Sequence, residues 1–368
     1  MNLRPPAGVA TAPSASLPGL VDDELDRFLR GEQDRLSPLA PEALVLLDEV
    51  VRLVRAGGKR LRPLFAYWGY RAGGGDDLIP AGNPADRTRT PAIIRAGAAL
   101  ELLHACALIH DDVMDRSHWR RGHATTFRRL AKAGAGGDRF GRSAAILAGD
   151  LALALADELL LTSGFPASRV LAAFSHFNRM RVEAVGGQFL DLLSPWRSAG
   201  DESAARRAAR LKSGSYSVVG PLLVGAALSG APEHVDRSLR LYGRPLGEAF
   251  QLRDDVLGTF GDPSLTGKDA DTDLREGKRT ALVAKAWQMG SPDVRALIAE
   301  RLGRPNLSPG EVRELREAIR ASGALAETIG LIDSLAGQAK EAVRASGIDS
   351  GIVGALEALA DRVAVRDA

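Results

Sequence analysis

Apolar residues recur at intervals of three and four along most of the chain, the period of a helix with one buried face. "LVDDELDRFLRGEQDRL" and "PEALVLLDEVVRLVRAGGKRLRPLFAYWGY" both show it, and the second meets Gly57-Gly58, where a helix should break. The same period predicts helices over about 92–117, 140–163, 167–193, 202–228 and 234–260. The Gly- and Pro-rich stretch 73–91 reads as a loop. Short helices are expected to follow the loop "GDPSLTGKDADTDLREGKR" and fill the C-terminus. No alternating β-run of useful length and no repeat of fixed period is visible. Residues 1–17, rich in Ala, Pro, Ser and Gly, read as a disordered tail. No linker divides residues 18–368, which read as one large all-α domain.

Composition narrows the function classes. Aromatic residues make up only 5% of the 368 residues, while Ala and Leu are plentiful, which favours helices over a β-sandwich or barrel. Lys plus Arg (48) against Asp plus Glu (46) leaves a net charge of +2, with no global attraction to nucleic acid. Cys106 is the only cysteine, so an intrachain disulfide and a cysteine-rich zinc site are excluded. The N-terminal stretch has no continuous apolar core and makes a poor signal peptide. "SAAILAGDLALALADELLL" is broken by Asp150, Asp157 and Glu158 and falls short of a membrane span. The expectation is a soluble, cytoplasmic protein.

The stretch "ALIHDDVMDRSHWRRG" (107–122) begins as an apolar helix and meets three aspartates within five positions. Asp111 and Asp115 lie four apart, about one turn along one helical face. Two such carboxylates repel unless a cation sits between them, and hard oxygen ligands suit magnesium bridging protein to phosphate. A solvated helix end, offset by Arg116, Arg120 and Arg121, is the plainer alternative. A second acidic pair, Asp254 and Asp255, follows another apolar helix in "FQLRDDVLGTFGD", with Gln251 on the same side. Two helices of this kind could face each other across a bundle and hold metal ions. Cations to meet an anionic ligand occur in "GGKRLRP" (Lys59, Arg60, Arg62), in "RRG", in "KSGSY" (Lys212), and at Lys268 and Lys278. Each alone could equally be a solvated surface charge.

Together, "GGKRLRP", "LLHACALIHDDVMDRSHWRRG", "KSGSY" and "FQLRDDVLGTFGDPSLTGKDADTDLREGKRT" resemble the trans-isoprenyl diphosphate synthases, or polyprenyl synthetases, over roughly 18–345. Within that family the chain looks most like bacterial geranylgeranyl diphosphate synthases. The resemblance implies a helical bundle around a central cavity, a homodimer, and three magnesium ions per active site. Asp111 and Asp115 would bind magnesium on the allylic diphosphate (dimethylallyl, geranyl or farnesyl), with Asp254 supporting a further ion. Lys59, Arg62, His104 and Arg121 would hold isopentenyl diphosphate. Arg120, Lys212, Ser213, Gln251, Lys268 and Lys278 would line the allylic diphosphate. His110 is left as structural. One departure stands out: the second acidic motif, "DDVLG", has Gly258 where the first, "DDVMD", has an acid, with Asp262 a turn further on. The second metal site would then rest on Asp254 and Asp255.

The helix before Asp111 should also line the tunnel for the growing chain. Ala107 is about 6 Å and Leu103 about 12 Å back along the axis. In the family, bulky aromatics four or five positions before the first motif commonly stop growth at fifteen carbons. Cys106 and Ala107 are small, so the expected product is geranylgeranyl diphosphate, with longer or farnesyl products as alternatives. A class I terpene cyclase or a non-catalytic partner subunit are the competing classes. The first binds no isopentenyl co-substrate, and the second should have eroded motifs.

Overall fold

The computed structural model describes residues 17–76, 90–120, 122–134, 136–261 and 271–365. Helices α1 (Leu17–Leu36), α2 (Leu44–Arg55) and α3 (Leu61–Ala72) lead to the long helix α4 (Ala92–Met114). A two-residue antiparallel hairpin, β1 (Trp119–Arg120) with β2 (His123–Ala124), follows, and then α5 (Thr126–Ala133), α6 (Gly137–Leu161) and α7 (Ala167–Leu192). Helix α8 (Glu202–Ala209) runs through a π-helical segment, Arg210–Val219, into α9 (Gly220–Ser229). Helix α10 (Glu233–Phe260) comes next, and helices Thr272–Glu276, Ala281–Met289, Pro292–Arg301, Pro309–Ala321, Ala324–Arg344 and Ser350–Ala364 complete the bundle.

The helical period thus finds the long elements to within a few residues. It misses α5 (Thr126–Ala133) altogether and differs from the structure in four further places. Leu17 is already helical and buried, because it packs into the core under α1. The small hairpin at 119–124 was too short to leave an alternating pattern. The stretch 202–228, expected as one regular helix, widens in its middle into π turns. Ala324–Arg344 is a full 21-residue helix and not a short one.

Helix α4 is apolar on nearly every face because it runs through the middle of the bundle. Among the described residues it is the one helix long and apolar enough to cross a membrane, and 72% of its most apolar window is buried inside the protein. Helix α10 joins two cores: Leu239, Tyr242 and Leu246 face the first, while Ala249, Leu252 and Val256 face the C-terminal helices. Glycines set the closest crossings. A Cβ on Gly187 of α7 would strike the backbone of Lys212, and one on Gly247 of α10 would lie 2.7 Å from the Cα of Gly214. The π segment is therefore held backbone to backbone between α7 and α10. That contact delivers Lys212 to the C-terminal end of α4.

Candidate active site

Asp111 and Asp112 lie in the last turn of α4 and Asp115 caps it, where aligned peptide dipoles leave a partial negative charge. Each carboxylate meets a cation from elsewhere in the chain. Lys212 Nζ lies 3.2 Å from Asp111 Oδ1 and 2.6 Å from Asp191 Oδ2 on α7. Lys278 Nζ lies 2.7 Å from Asp115 Oδ2, 2.8 Å from Glu276 Oε2 and 3.8 Å from Asp273 Oδ1. Gln188 donates to Asp111 at 3.1 Å. Arg120 engages Asp112 through contacts of 2.7 and 2.9 Å, and reaches Asp111 only at 3.5 Å. Asp112 and Arg120 are both buried, so this pair anchors the hairpin to α4. Asp111 and Asp115 instead rest against half-buried lysines.

Asp255 is buried on α10 and accepts a hydrogen bond from Gln251 Nε2 at 2.7 Å. Burial pushes its carboxyl well above the usual carboxylate range, against the pull of Gln251, and the nearby Asp273, Asp191 and Asp254 add to the push. Asp255 is therefore engaged within the protein, and Asp254 is the half-buried acid of the pair. Asp191, Lys212, Gln251, Asp255, Arg279 and Thr280 line one narrow cleft, and Lys212 joins it to the first acidic motif through Asp111.

A second set adjoins the first. Arg62 Nη2 donates to the Tyr216 hydroxyl at 2.7 Å and to Ser217 Oγ at 2.8 Å, with its guanidinium 4.3 Å from the Tyr216 ring centre. The same hydroxyl lies 2.9 Å from His104 Nδ1. Tyr216 shares the π segment with Lys212 and with buried Ser213. Arg60 fixes the turn before Arg62. It is buried in a left-handed conformation (φ 46°), with guanidinium nitrogens 2.6 Å from both Glu101 and Asp22 and 2.8 Å from the Val54 carbonyl. Lys59 stands exposed on that turn, next to Gly57 at φ 79°. A separate surface hollow by Asp48, Arg52, Arg55, His123 and Arg129 contains no predicted site residue.

The structure thus joins Asp111, Asp115, Arg120, Lys212 and Lys278 through ion pairs at the end of α4 and places Lys212 and Gln251 on the cleft. Ser213 is buried on the π segment, Asp254 neighbours Asp255 on α10, and Arg62 and His104 meet at Tyr216. Arg121, Lys268 and Asp262 lie outside the described residues, as does most of the 1–17 tail. The chain-length positions separate. Ala107 is half-buried and in line with Asp111, whereas the Cys106 thiol lies 3.8 Å from His110 Nδ1. His110 in turn contacts the Ile146 carbonyl of α6 at 3.1 Å, so Cys106 turns toward α6. Leu103 is buried. Sequence reasoning missed Tyr216, Gln188, Asp191 and Glu276. Tyr216 was signalled by its four-residue spacing from Lys212; Gln188 and Asp191 had only their position near the end of an apolar helix.

The donor set fits a hard divalent cation, since carboxylates of different helices already share a single positive charge, Asp111 with Asp191 and Asp115 with Asp273. Among the described residues no three His, Cys, Asp or Glu side chains converge on one point. Such an ion would need phosphate oxygens to complete its shell, as magnesium commonly does.

The polyprenyl synthetase family model matches residues 45–319. Geranylgeranyl diphosphate synthase of Sulfolobus acidocaldarius is 33% identical over 282 residues, covering 75% of this chain and 77% of the relative. A (2E,6E)-farnesyl diphosphate synthase of Mycobacterium tuberculosis is 33% identical over 318 residues, covering 83% of this chain and 80% of the relative. The crystal structure of a geranylgeranyl pyrophosphate synthase from Corynebacterium glutamicum, complexed with isoprenyl diphosphate and magnesium, superposes with a TM-score of 0.85. It is 35% identical and covers 95% of this chain and 99% of its own.

Electrostatics separates the groups further. Burial lowers the affinity of Lys212 for its proton, but Asp111 and Asp191 outweigh it and hold the ammonium above its ordinary value. Asp115 is pushed up by burial and by Asp111. Burial likewise lifts Glu276 to about 7, against the pull of Lys278. A carboxyl raised in the folded state stabilises the fold below its ordinary value of 4.5 and loses that contribution as pH rises toward 7. Glu276→Gln cannot ionise. Its melting temperature relative to the parent should therefore climb between about pH 4.5 and about pH 7 and level off above. A pH-independent difference in thermal melts would contradict the assignment.

Proposed function

Because the chain belongs to the polyprenyl synthetase family, we propose that it condenses isopentenyl diphosphate with an allylic diphosphate, and that its main product is geranylgeranyl diphosphate. The observation that carries this reading is the pair of adjoining sets, Lys212 with Lys278 on the carboxylates and Arg62 with His104 on Tyr216. One set faces carboxylates and suits a metal-bound diphosphate. The other suits a diphosphate held by the protein alone.

Magnesium held by Asp111, Asp115 and Asp254 would neutralise the allylic diphosphate as it leaves. Lys212 and Lys278 rest on Asp111 and Asp115, and Lys212 also lines the cleft. From there they can hold the leaving group, together with Lys268 and Arg120. Arg62, Lys59, His104 and Arg121 would orient isopentenyl diphosphate so that its double bond faces the allylic carbon. The allylic C–O bond breaks, the new C–C bond forms, and the proton lost from isopentenyl goes to the released diphosphate. Preorganised positive charge, and no protein nucleophile, lowers the barrier.

Product length rests on Ala107, small and in line with Asp111, while Cys106 faces α6. Purified protein given magnesium, isopentenyl and farnesyl diphosphates should release the twenty-carbon diphosphate. Farnesyl diphosphate as the end product from shorter starters would overturn the length, and hydrocarbon from geranylgeranyl diphosphate alone would overturn the reaction. Ala107→Phe should shorten the product to fifteen carbons. An unchanged product would remove Ala107 from the tunnel.

The proposal extends to a cytoplasmic homodimer. Its support is an exposed apolar face: Val182, Val185 and Phe189 on α7, with Ile146 and Leu147 on α6. Contiguous apolar surface of this kind marks a protein interface. Light scattering should show a dimer for the parent and a monomer for a Leu147→Glu, Val185→Glu double variant. A monomeric parent would contradict it.

A further inference from the structure

The second acidic motif lacks the fifth-position acid of the first, and the space it leaves is filled. A Cβ built on Gly258 would collide with Oδ2 of Asp273, with the Asp273 Cγ 3.3 Å away. The carboxylate of Asp273 thus reaches over from the short helix Thr272–Glu276 to the spot where a side chain at position 258 would leave α10. Position 258 is four residues, one helical turn, after Asp254 and on the same face. Asp254 with Asp273 therefore repeats the one-turn spacing of Asp111 with Asp115.

A cation already sits between the two motifs at this point. The Lys278 ammonium is 2.7 Å from Asp115 and 3.8 Å from Asp273. Asp273 therefore faces the first motif, and a positive charge can reach both helices there.

We propose that Asp273 supplies the acid missing from the second motif, acting with Asp254 on the divalent cation that enters with diphosphate, and that Gly258 exists at its position to admit it. This rests on the metal-dependent reading above. With those carboxylates holding the ion, the Lys278 ammonium would be available to phosphate.

The test counts Mn2+ bound to purified protein in the presence of inorganic diphosphate, by electron paramagnetic resonance. Binding by the parent tests the metal-dependent reading itself; a parent that binds no Mn2+ overturns both that reading and this inference. Given binding by the parent, Asp273→Asn should weaken one ion by roughly tenfold, the usual size of a lost supporting ligand. A Gly258→Asp, Asp273→Ala double variant should recover to within about threefold of the parent, because the alanine vacates the space and the acid returns to it from the other side. Gly258→Ala keeps the acid but fills its space, and should weaken the same ion. It carries the test if Asp273→Asn melts early. Parent-like binding by Asp273→Asn, or no recovery in a double variant that melts like the parent, would overturn the proposal, since a purely structural Asp273 would not be replaced from position 258.

Discussion

The whole arrangement answers one electrostatic problem. Asp111, Asp112 and Asp115 crowd the C-terminal end of α4, where the helix dipole already places negative charge. Two carboxylates roughly 6 Å apart repel by on the order of 3 kcal/mol at the effective dielectric near a protein surface. That is a large fraction of the net stability of a typical domain. The chain answers with one cation per acid. Arg120 is buried with Asp112, and Lys212 and Lys278 are half-buried against Asp111 and Asp115.

Bringing those cations in constrains the fold. Lys212 reaches Asp111 only because the π segment lies backbone to backbone against Gly187 and Gly247, where any larger residue would force the helices apart. Widened helical turns of this kind are common at functional sites. The same segment carries Tyr216, which ties Arg62 and His104 together one turn from Lys212. Stability and binding are therefore set by the same contacts. The cations that quiet the acids are those a diphosphate would recruit.

Much of this could be read from residues alone, for physical reasons. Long amphipathic and apolar helices announce themselves by period, so 167–192 and 233–260 were found nearly to the residue. The acidic pairs and basic runs were visible because charges beside apolar helices are unusual. The π segment was invisible, since wide and regular turns share the same apolar spacing over ten residues. Partners were also hidden. Nothing in "RRG" says that Arg120 binds Asp112, and nothing in "TDLREGK" places Asp273 beside Gly258. Cys106 and Ala107 are neighbours in sequence, yet Cys106 turns to α6 while Ala107 stays in line with Asp111, which only the His110 contact reveals.

The central claim is that lysines stand on the first acidic motif until a metal and diphosphate displace them. A crystal structure of the protein with magnesium and inorganic diphosphate, set beside one without either, tests it most directly. The account predicts Lys212 and Lys278 leaving Asp111 and Asp115 to contact diphosphate oxygens, with the metal bound at those carboxylates. Diphosphate bound while both ammonium groups remain on the aspartates would contradict it.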